Sequence, residues 1–150
     1  MKIEFTKKQF KSLLKLAYLG NWMANANRTD DMIKEYEDLE DYIFSFAKDF
    51  GFKKYVDDED ADQGKFFPTR LFEENTDVSK LHEEYDDATF WDEIIDRLTD
   101  RDFFRKYGVD KIKKMDRNER WEKLFEFEKK YADEFRKYGI ERLEIREAKK

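Results

Sequence analysis

Three alternating aspartates in the middle of the chain have the spacing of metal ligands. Asp58, Asp60 and Asp62 match the oxygen ligands that open a calcium-binding loop. The rest of that pattern is missing, because glycine comes one position late and Thr69 stands where such a loop has a bidentate glutamate. The segment is either a cation site or a solvated run of charge, and the sequence favours the second. It predicts no cofactor.

The only histidine of the chain, His82, is the candidate for acid–base chemistry. Glu83 and Glu84 follow it, and a carboxylate can orient an imidazole for proton transfer. No serine has the sequence context of a nucleophile, and a histidine on an apolar helix face is more often a packing residue. Because the chain has one histidine and no cysteine, thiolate metal sites and sites with two imidazoles are excluded. The sequence therefore leans against an enzyme.

Two asparagines one helical turn apart, Asn21 and Asn25, interrupt an otherwise apolar segment beside Trp22. Buried amides need hydrogen-bond partners. They can bind the polar edge of a ligand in a pocket lined by Trp22, or they can bond to the neighbouring backbone. The sequence favours the second interpretation and keeps these residues as candidate binding residues.

A basic segment lies beside a tryptophan in the last third of the chain. Lys113, Lys114 and Arg117 precede Trp121, and cations next to an aromatic ring suit phosphate contact and base stacking. Acidic residues interleave this segment and dilute its positive charge. Tryptophan and arginine also dominate the energetics of protein interfaces. These four residues are thus candidates for binding a protein or a nucleic acid.

Helices are predicted to position these side chains. Thr6 and Gln9 form a capping-box pattern, and Phe5 and Phe10 stand where a hydrophobic staple needs them. We expect the helix that begins there to end near Arg28. Since its apolar residues cover nearly the whole circumference, we expect it to be central and buried.

A second helix is predicted from Thr29 or Asp30 to Gly51. Residues 53–75 lack periodicity and are predicted to form an irregular acidic loop. The apolar face predicted for the second helix comprises Ile33, Tyr36, Leu39, Ile43, Phe46, Ala47 and Phe50.

The second half of the chain is predicted to hold further helices and a terminal strand. Residues 140–145 are expected to form a strand that pairs with residues 1–5. Gly108 and Gly139, like Gly51, are expected to end helices in the left-handed conformation. The predicted helices begin near Thr76, Ala88 and Thr99–Asp100, and a last one covers Arg117 to Tyr138.

The composition indicates one mainly α domain. The chain has 150 residues, of which 39% are hydrophobic and 45% charged, and this length is typical of one domain. We expect a single compact domain of five to six helices over residues 1–150, with a small two-stranded pairing of the terminal segments. The sequence shows no signal peptide or membrane span, so it predicts a cytoplasmic protein without membrane contact.

Charge is distributed unevenly along the chain. Residues 1–28 carry six basic residues and one acid, a net of +5, and residues 29–100 carry eight against 24, a net of −16. Residues 101–150 carry 17 against 12, a net of +5. This division favours a non-enzymatic protein–protein interaction module, with self-association as one version. The alternatives are a nucleic-acid-binding protein that uses the basic ends and an acidic inhibitor that mimics nucleic acid.

Overall fold

The computed structural model describes residues 3–144. This part of the chain is mainly helical, as the sequence predicts, and contains one small antiparallel sheet. Its elements are α1 (Lys7–Asn25), α2 (Lys34–Ser45), β1 (Val56–Asp57), β2 (Phe67–Pro68), α3 (Arg70–Asn75), α4 (Val78–Tyr107), α5 (Val109–Ile112) and α6 (Arg117–Tyr138).

Contacts within the chain group it into two compact units, Met1–Glu84 and Tyr85–Lys150. The boundary falls inside α4, so this helix contributes its first turns to the N-terminal unit and the rest to the C-terminal unit. The prediction of one domain over residues 1–150 stays a prediction. None of the helices in residues 3–144 combines the length and apolar composition needed to cross a bilayer.

The start of α1 confirms the predicted cap. The Thr6 amide donates to Gln9 Oε1 at 2.9 Å, and the Gln9 amide donates to Thr6 Oγ1 at 3.3 Å. The rings of Phe5 and Phe10 meet edge to face, with centroids 6.4 Å apart. The expectation of a helix buried all round is wrong, however, because large side chains such as Leu16 are exposed.

The core of the N-terminal unit is centred on Phe72 of α3, whose side chain is fully buried. Its ring meets those of Phe44, Tyr18 and Tyr55 edge to face at 5.3 to 5.7 Å. Phe72 thereby joins α1, α2 and α3. The buried cluster comprises Phe10, Leu14, Phe44, Ala47, Tyr55, Val56, Phe72 and Val78.

The sheet lies inside the predicted acidic loop and not between the chain ends. Val56 pairs with Pro68 and Asp57 with Phe67, whereas residues 3–5 form no strand and residues 139–144 form no strand either. Met1, Lys2 and Ile145 lie outside the described residues. The location predicted for the pairing is therefore wrong. Pairing two segments about ten residues apart costs less loop-closure entropy than pairing the ends of the chain.

The second half of the loop is tied to α2. Lys65 Nζ lies 3.0 Å from Asp41 Oδ2 and 3.1 Å from Glu37 Oε1, and these hydrogen bonds raise the pKa of Lys65. The backbone amide of Phe66 donates to Asp41 Oδ1 at 2.9 Å. The buried carboxylate of Asp41 is thus satisfied by one cation and one backbone donor.

A single helix, α4, continues through Thr99 and Asp100, where the sequence predicted a break. Thr99 is buried, and Phe103, one turn later, is fully buried. Packing therefore favours continued helix over the cap that these residue types allow. The boundaries predicted near Ala88 and Thr99 are wrong for this reason.

In the C-terminal unit, α6 has the predicted limits, Arg117 to Tyr138. Asp116 caps it by accepting hydrogen bonds from two backbone amides of the first turn, each at 2.9 Å. Gly108 and Gly139 follow α4 and α6 with positive φ angles of 71° and 55°, so both end helices as predicted. Their ψ angles of 156° and −136° differ from the left-handed helical conformation that was expected.

Candidate interaction surfaces

Asn25 clamps the connection between α1 and α2. Its Nδ2 donates to the carbonyl of Ile33 at 3.2 Å, and its Oδ1 accepts from the Ile33 amide at 2.8 Å. Ile33 is held in an extended conformation with ψ at 93°, so α2 begins only after it. The predicted start at Thr29 or Asp30 is therefore wrong, and α2 ends at Ser45, before the predicted end at Gly51.

Asn21 and Glu40 join α1 to α2 one turn away from this clamp. Asn21 Nδ2 donates to Glu40 Oε2 at 2.5 Å, and its Oδ1 accepts from Asn25 at 2.7 Å. The pKa of Glu40 is raised to about 7, with burial as the largest cause; the hydrogen bond from Asn21 lowers it, and the negative charges of Asp41 and Glu37 raise it. Both asparagines are thus occupied by contacts within the fold.

Tyr18 extends this polar face of α1 towards α3. Its hydroxyl donates to Glu73 Oε1 at 2.8 Å. Burial is the largest cause that raises the pKa of Tyr18 to about 12, and the charges of Glu73 and Glu40 add to it. The phenol therefore stays protonated and acts as a hydrogen-bond donor between two helices.

His82 lies against Trp22, with ring centroids 3.5 Å apart and planes inclined by 57°. The two residues that follow His82 are exposed, and Glu84 forms an ion pair with Lys80 at 3.4 Å. The contact with Trp22 fits the packing interpretation of this histidine. Acid–base chemistry at His82 stays a prediction.

The structure does not gather the three alternating aspartates around a cation position. Asp58 forms an ion pair with Lys48, and Asp60 Oδ1 accepts a hydrogen bond from Gln63 at 3.3 Å. Nowhere in residues 3–144 do three histidine, cysteine or carboxylate side chains form a group that could hold a metal ion, so Asp62 is not part of one.

The predicted basic residues form an exposed surface in the C-terminal unit. Lys113 and Lys114 lie in the turn before α6, Arg117 is the first residue of α6, and Arg120 follows in its first turn. No acidic side chain of residues 3–144 forms an ion pair with any of these four cations. Trp121 completes this group, which we term the α6 surface.

Trp121 supplies the aromatic side chain of the α6 surface. It is 65% exposed and stacks on Phe125, one turn later, with ring centroids 5.5 Å apart and planes inclined by 10°. Despite this stacking contact, most of the indole remains open to solvent. The α6 surface therefore combines free cations with an accessible aromatic ring.

A second exposed surface lies on α2, in the N-terminal unit, and was not predicted. Phe44 and Ala47 are fully buried and point into the core, so the opposite side of the helix faces solvent. Leu39 is 54% exposed there and Tyr42 is 62% exposed. The residues of this surface, which we term the α2 stripe, are Met32, Tyr36, Leu39, Tyr42 and Phe46.

The predicted core face of α2 is therefore partly wrong. Tyr36, Leu39 and Phe46 were expected to face the core and are exposed instead. The signal in the sequence was the presence of Phe44 and Tyr42 outside the predicted face, since apolar residues then cover more than one side of the helix. The core accepts Phe44 together with Ala47 of the predicted face, and Ile43 and Phe50 of that face pack against it.

Exposed carboxylates lie on α2 and in the segments just before and after it. Glu35, Asp30 and Asp49 are exposed, and no basic side chain of the described residues forms an ion pair with them. Asp38 does form one, with Lys34. Of the other acids of α2, Glu37 and Asp41 pair with Lys65, and the pKa of Glu40 is raised to about 7. The stripe is thus an apolar surface beside exposed carboxylates that no ion pair of the described residues compensates.

No family model matches the chain, and no curated protein or solved structure matches it.

Proposed function

We propose that this protein is a cytoplasmic, non-enzymatic protein-interaction module and that its partner docks on the α2 stripe. The observation that supports the proposal is the outward apolar side of α2, on which Leu39 and Tyr42 are more than half exposed. Contiguous exposed apolar side chains with a polar rim mark protein-binding surfaces. The cytoplasmic location is the one that the sequence analysis predicts.

The other candidate binding residues of the N-terminal unit also favour the α2 stripe as the docking surface, because their side chains are used in the fold. The amides of Asn21 and Asn25 are used in joining α1 to α2, and the ring of His82 lies on Trp22. These side chains serve the fold of the N-terminal unit. The α2 stripe, by contrast, has large apolar side chains whose exposure the fold does not require, and tyrosine is a residue type that dominates interface energetics.

Affinity capture with two matched double variants tests this function. Leu39→Gln/Tyr42→Gln removes the centre of the α2 stripe, and Leu16→Gln/Met23→Gln removes two other exposed apolar side chains of the same unit. Glutamine keeps good helix propensity, so both variants should fold. We expect proteins recovered with the wild type to fall about tenfold with the first variant only. Equal recovery with all three proteins would refute the α2 stripe as the interaction surface.

Nucleic-acid binding through the α6 surface is a second candidate function. It is favoured by the four cations without ion pairs beside an exposed indole, because single strands bind to surfaces that combine phosphate contacts with stacking. A titration with dye-labelled oligothymidylate, read from the anisotropy of the dye, tests it directly and does not need Trp121 as the reporter. A variant with Trp121→Leu separates stacking from charge.

A further inference from the structure

We infer that the partner segment of the α2 stripe is a basic amphipathic helix. This inference rests on the proposed function and adds the chemistry of the partner to it. Its basis is the combination of two properties of α2, the helical spacing of the exposed apolar side chains and the uncompensated negative charge around them.

The spacing favours a helix as the partner. Tyr36, Leu39 and Tyr42 follow one another at three-residue intervals on α2, and Met32 and Phe46 flank its ends. A twelve-residue helix is about 18 Å long, so the stripe presents a ridge of about three turns. An amphipathic helix lays apolar residues at three- and four-residue spacing against such a surface.

The charge requires that partner to be basic. At about 100° per residue, Leu39 and Tyr42 lie within about 40° of Glu35 around the helix axis. A docking segment must therefore cover Glu35 together with the apolar residues. Desolvating a carboxylate without a counter-charge is costly, whereas lysine or arginine beside the apolar residues of the partner would neutralise it and the two acids at the ends, Asp30 and Asp49.

The same charges argue against other occupants. A second copy of this chain would bring its own exposed carboxylates, Asp30, Glu35 and Asp49, against those of the first, and like charges across an interface cost affinity. Nucleic acid and anionic lipid would be repelled in the same way. A basic helix is the occupant that satisfies both the apolar residues and the carboxylates.

Two synthetic peptides of about four turns serve as probes. Both carry the same leucines at helical spacing, and the remaining positions are lysine in one peptide and glutamate in the other. We expect fluorescence anisotropy to show binding of the lysine peptide to the full chain at least about tenfold tighter than binding of the glutamate peptide. Leu39→Gln/Tyr42→Gln should weaken the lysine peptide about tenfold, and Leu16→Gln/Met23→Gln should not.

Charge-reversal variants separate a local effect from net charge. Asp30→Lys/Glu35→Lys changes two acids beside the α2 stripe, and Glu59→Lys/Asp62→Lys makes the same change of charge in the acidic loop. We expect the first variant alone to lose the preference for the lysine peptide. An equal loss with both variants would refute recognition by the α2 stripe.

The remaining outcomes distinguish this inference from the proposed function. Equal binding of both peptides, lost in Leu39→Gln/Tyr42→Gln, would refute a basic partner and leave the docking surface standing. Self-association in sedimentation experiments, abolished by the same variant, would identify a second copy as the occupant and refute the inference. If the protein captures partners from a lysate through the α2 stripe but binds neither peptide, the inference of a basic helix is refuted and the proposed function stands.

Discussion

Asn25 and Ile33 share two hydrogen bonds, one to each backbone polar group of Ile33, at 3.2 Å and 2.8 Å. The side chain of Asn25 is only 5% exposed. It therefore replaces water as the acceptor for the Ile33 amide, and it shares the Ile33 carbonyl with the backbone amide of Tyr36 in α2. This pair fixes where α2 begins and so which of its sides faces the core.

Replacing Asn25 should destabilise the protein. Asn25→Ala leaves the buried amide of Ile33 without its partner, while the Ile33 carbonyl keeps the Tyr36 amide. We expect a loss of about 1–3 kcal/mol in the free energy of unfolding. Urea denaturation followed by circular dichroism measures it. Ser12→Ala, which removes one exposed side-chain hydrogen bond on α1, is the control and should change little. A loss of less than about 0.5 kcal/mol for Asn25→Ala would contradict the role given to the clamp.

Glu40 should make stability depend on pH. Its pKa is raised from 4.5 to about 7 in the fold, so the folded state favours the protonated form. The stabilisation is complete below about pH 4.5, declines as the pH rises towards 7, and is absent above that. At 1.36 kcal/mol per unit the total is at most about 3 kcal/mol.

Glu40→Gln tests this dependence, because glutamine stays neutral at every pH. The variant should exceed the wild type in stability at pH 8, by up to about 3 kcal/mol, and the difference should shrink as the pH falls towards 4.5. Denaturation midpoints at a series of pH values measure it, with the exposed Glu35→Gln as the control. A difference that is constant with pH would show that Glu40 is not the group responsible.

Two glycines should respond to alanine with opposite signs. Gly108 has φ and ψ of 71° and 156°, a conformation essentially restricted to glycine, so Gly108→Ala should cost about 1–3 kcal/mol. Gly20 lies inside α1, and an added Cβ there meets no atom within 4 Å. Gly20→Ala should therefore stabilise the protein by about 0.5–1 kcal/mol. Thermal melting compares both variants with the wild type, and the same sign for both would contradict the prediction.

Binding of single-stranded nucleic acid to the α6 surface should depend steeply on salt. If the four cations each neutralise a phosphate, the slope of log K against log salt is about −3. Affinity for oligothymidylate should then fall about fiftyfold between roughly 50 and 200 mM salt. Lys113→Gln/Lys114→Gln should halve the slope, whereas Trp121→Leu should lower affinity and leave the slope unchanged. Absence of binding at low salt would remove this second candidate function.

The structure also shows which features could be predicted from sequence. The cap formed by Thr6 and Gln9 and the limits of α6 depend on residues a few positions apart, so their local pattern was sufficient. The continuity of α4 through Thr99 was not predictable in this way, because the burial of Thr99 and Phe103 comes from distant residues. Local capping preferences are weak compared with such packing.

The two candidate surfaces also differ in whether the sequence could predict them. The α6 surface was predicted because Lys113, Lys114 and Arg117 are consecutive or nearly so, and their exposure needs no knowledge of the fold. The α2 stripe was not predicted, since the burial of Phe44, which leaves Leu39 and Tyr42 exposed, depends on its contact with Phe72 of α3. Periodicity identifies apolar sides of a helix and does not rank them.

The tip of the segment between β1 and β2 offers a practical consequence. Lys65 and Phe66 are held by α2, and Asp58 is held by Lys48, so the chain is fixed on both sides of residues 59–64. Within the tip, Ala61–Gln63 form a short 3₁₀ helix, in which the Gln63 amide donates to the Asp60 carbonyl and the Gly64 amide to the Ala61 carbonyl. A peptide tag or a fluorescent protein inserted after Glu59, before this helix, would lengthen a closed loop at a cost of about 0.6 kcal/mol per doubling. This position is therefore suited to labelling that leaves both termini and both candidate surfaces unaltered.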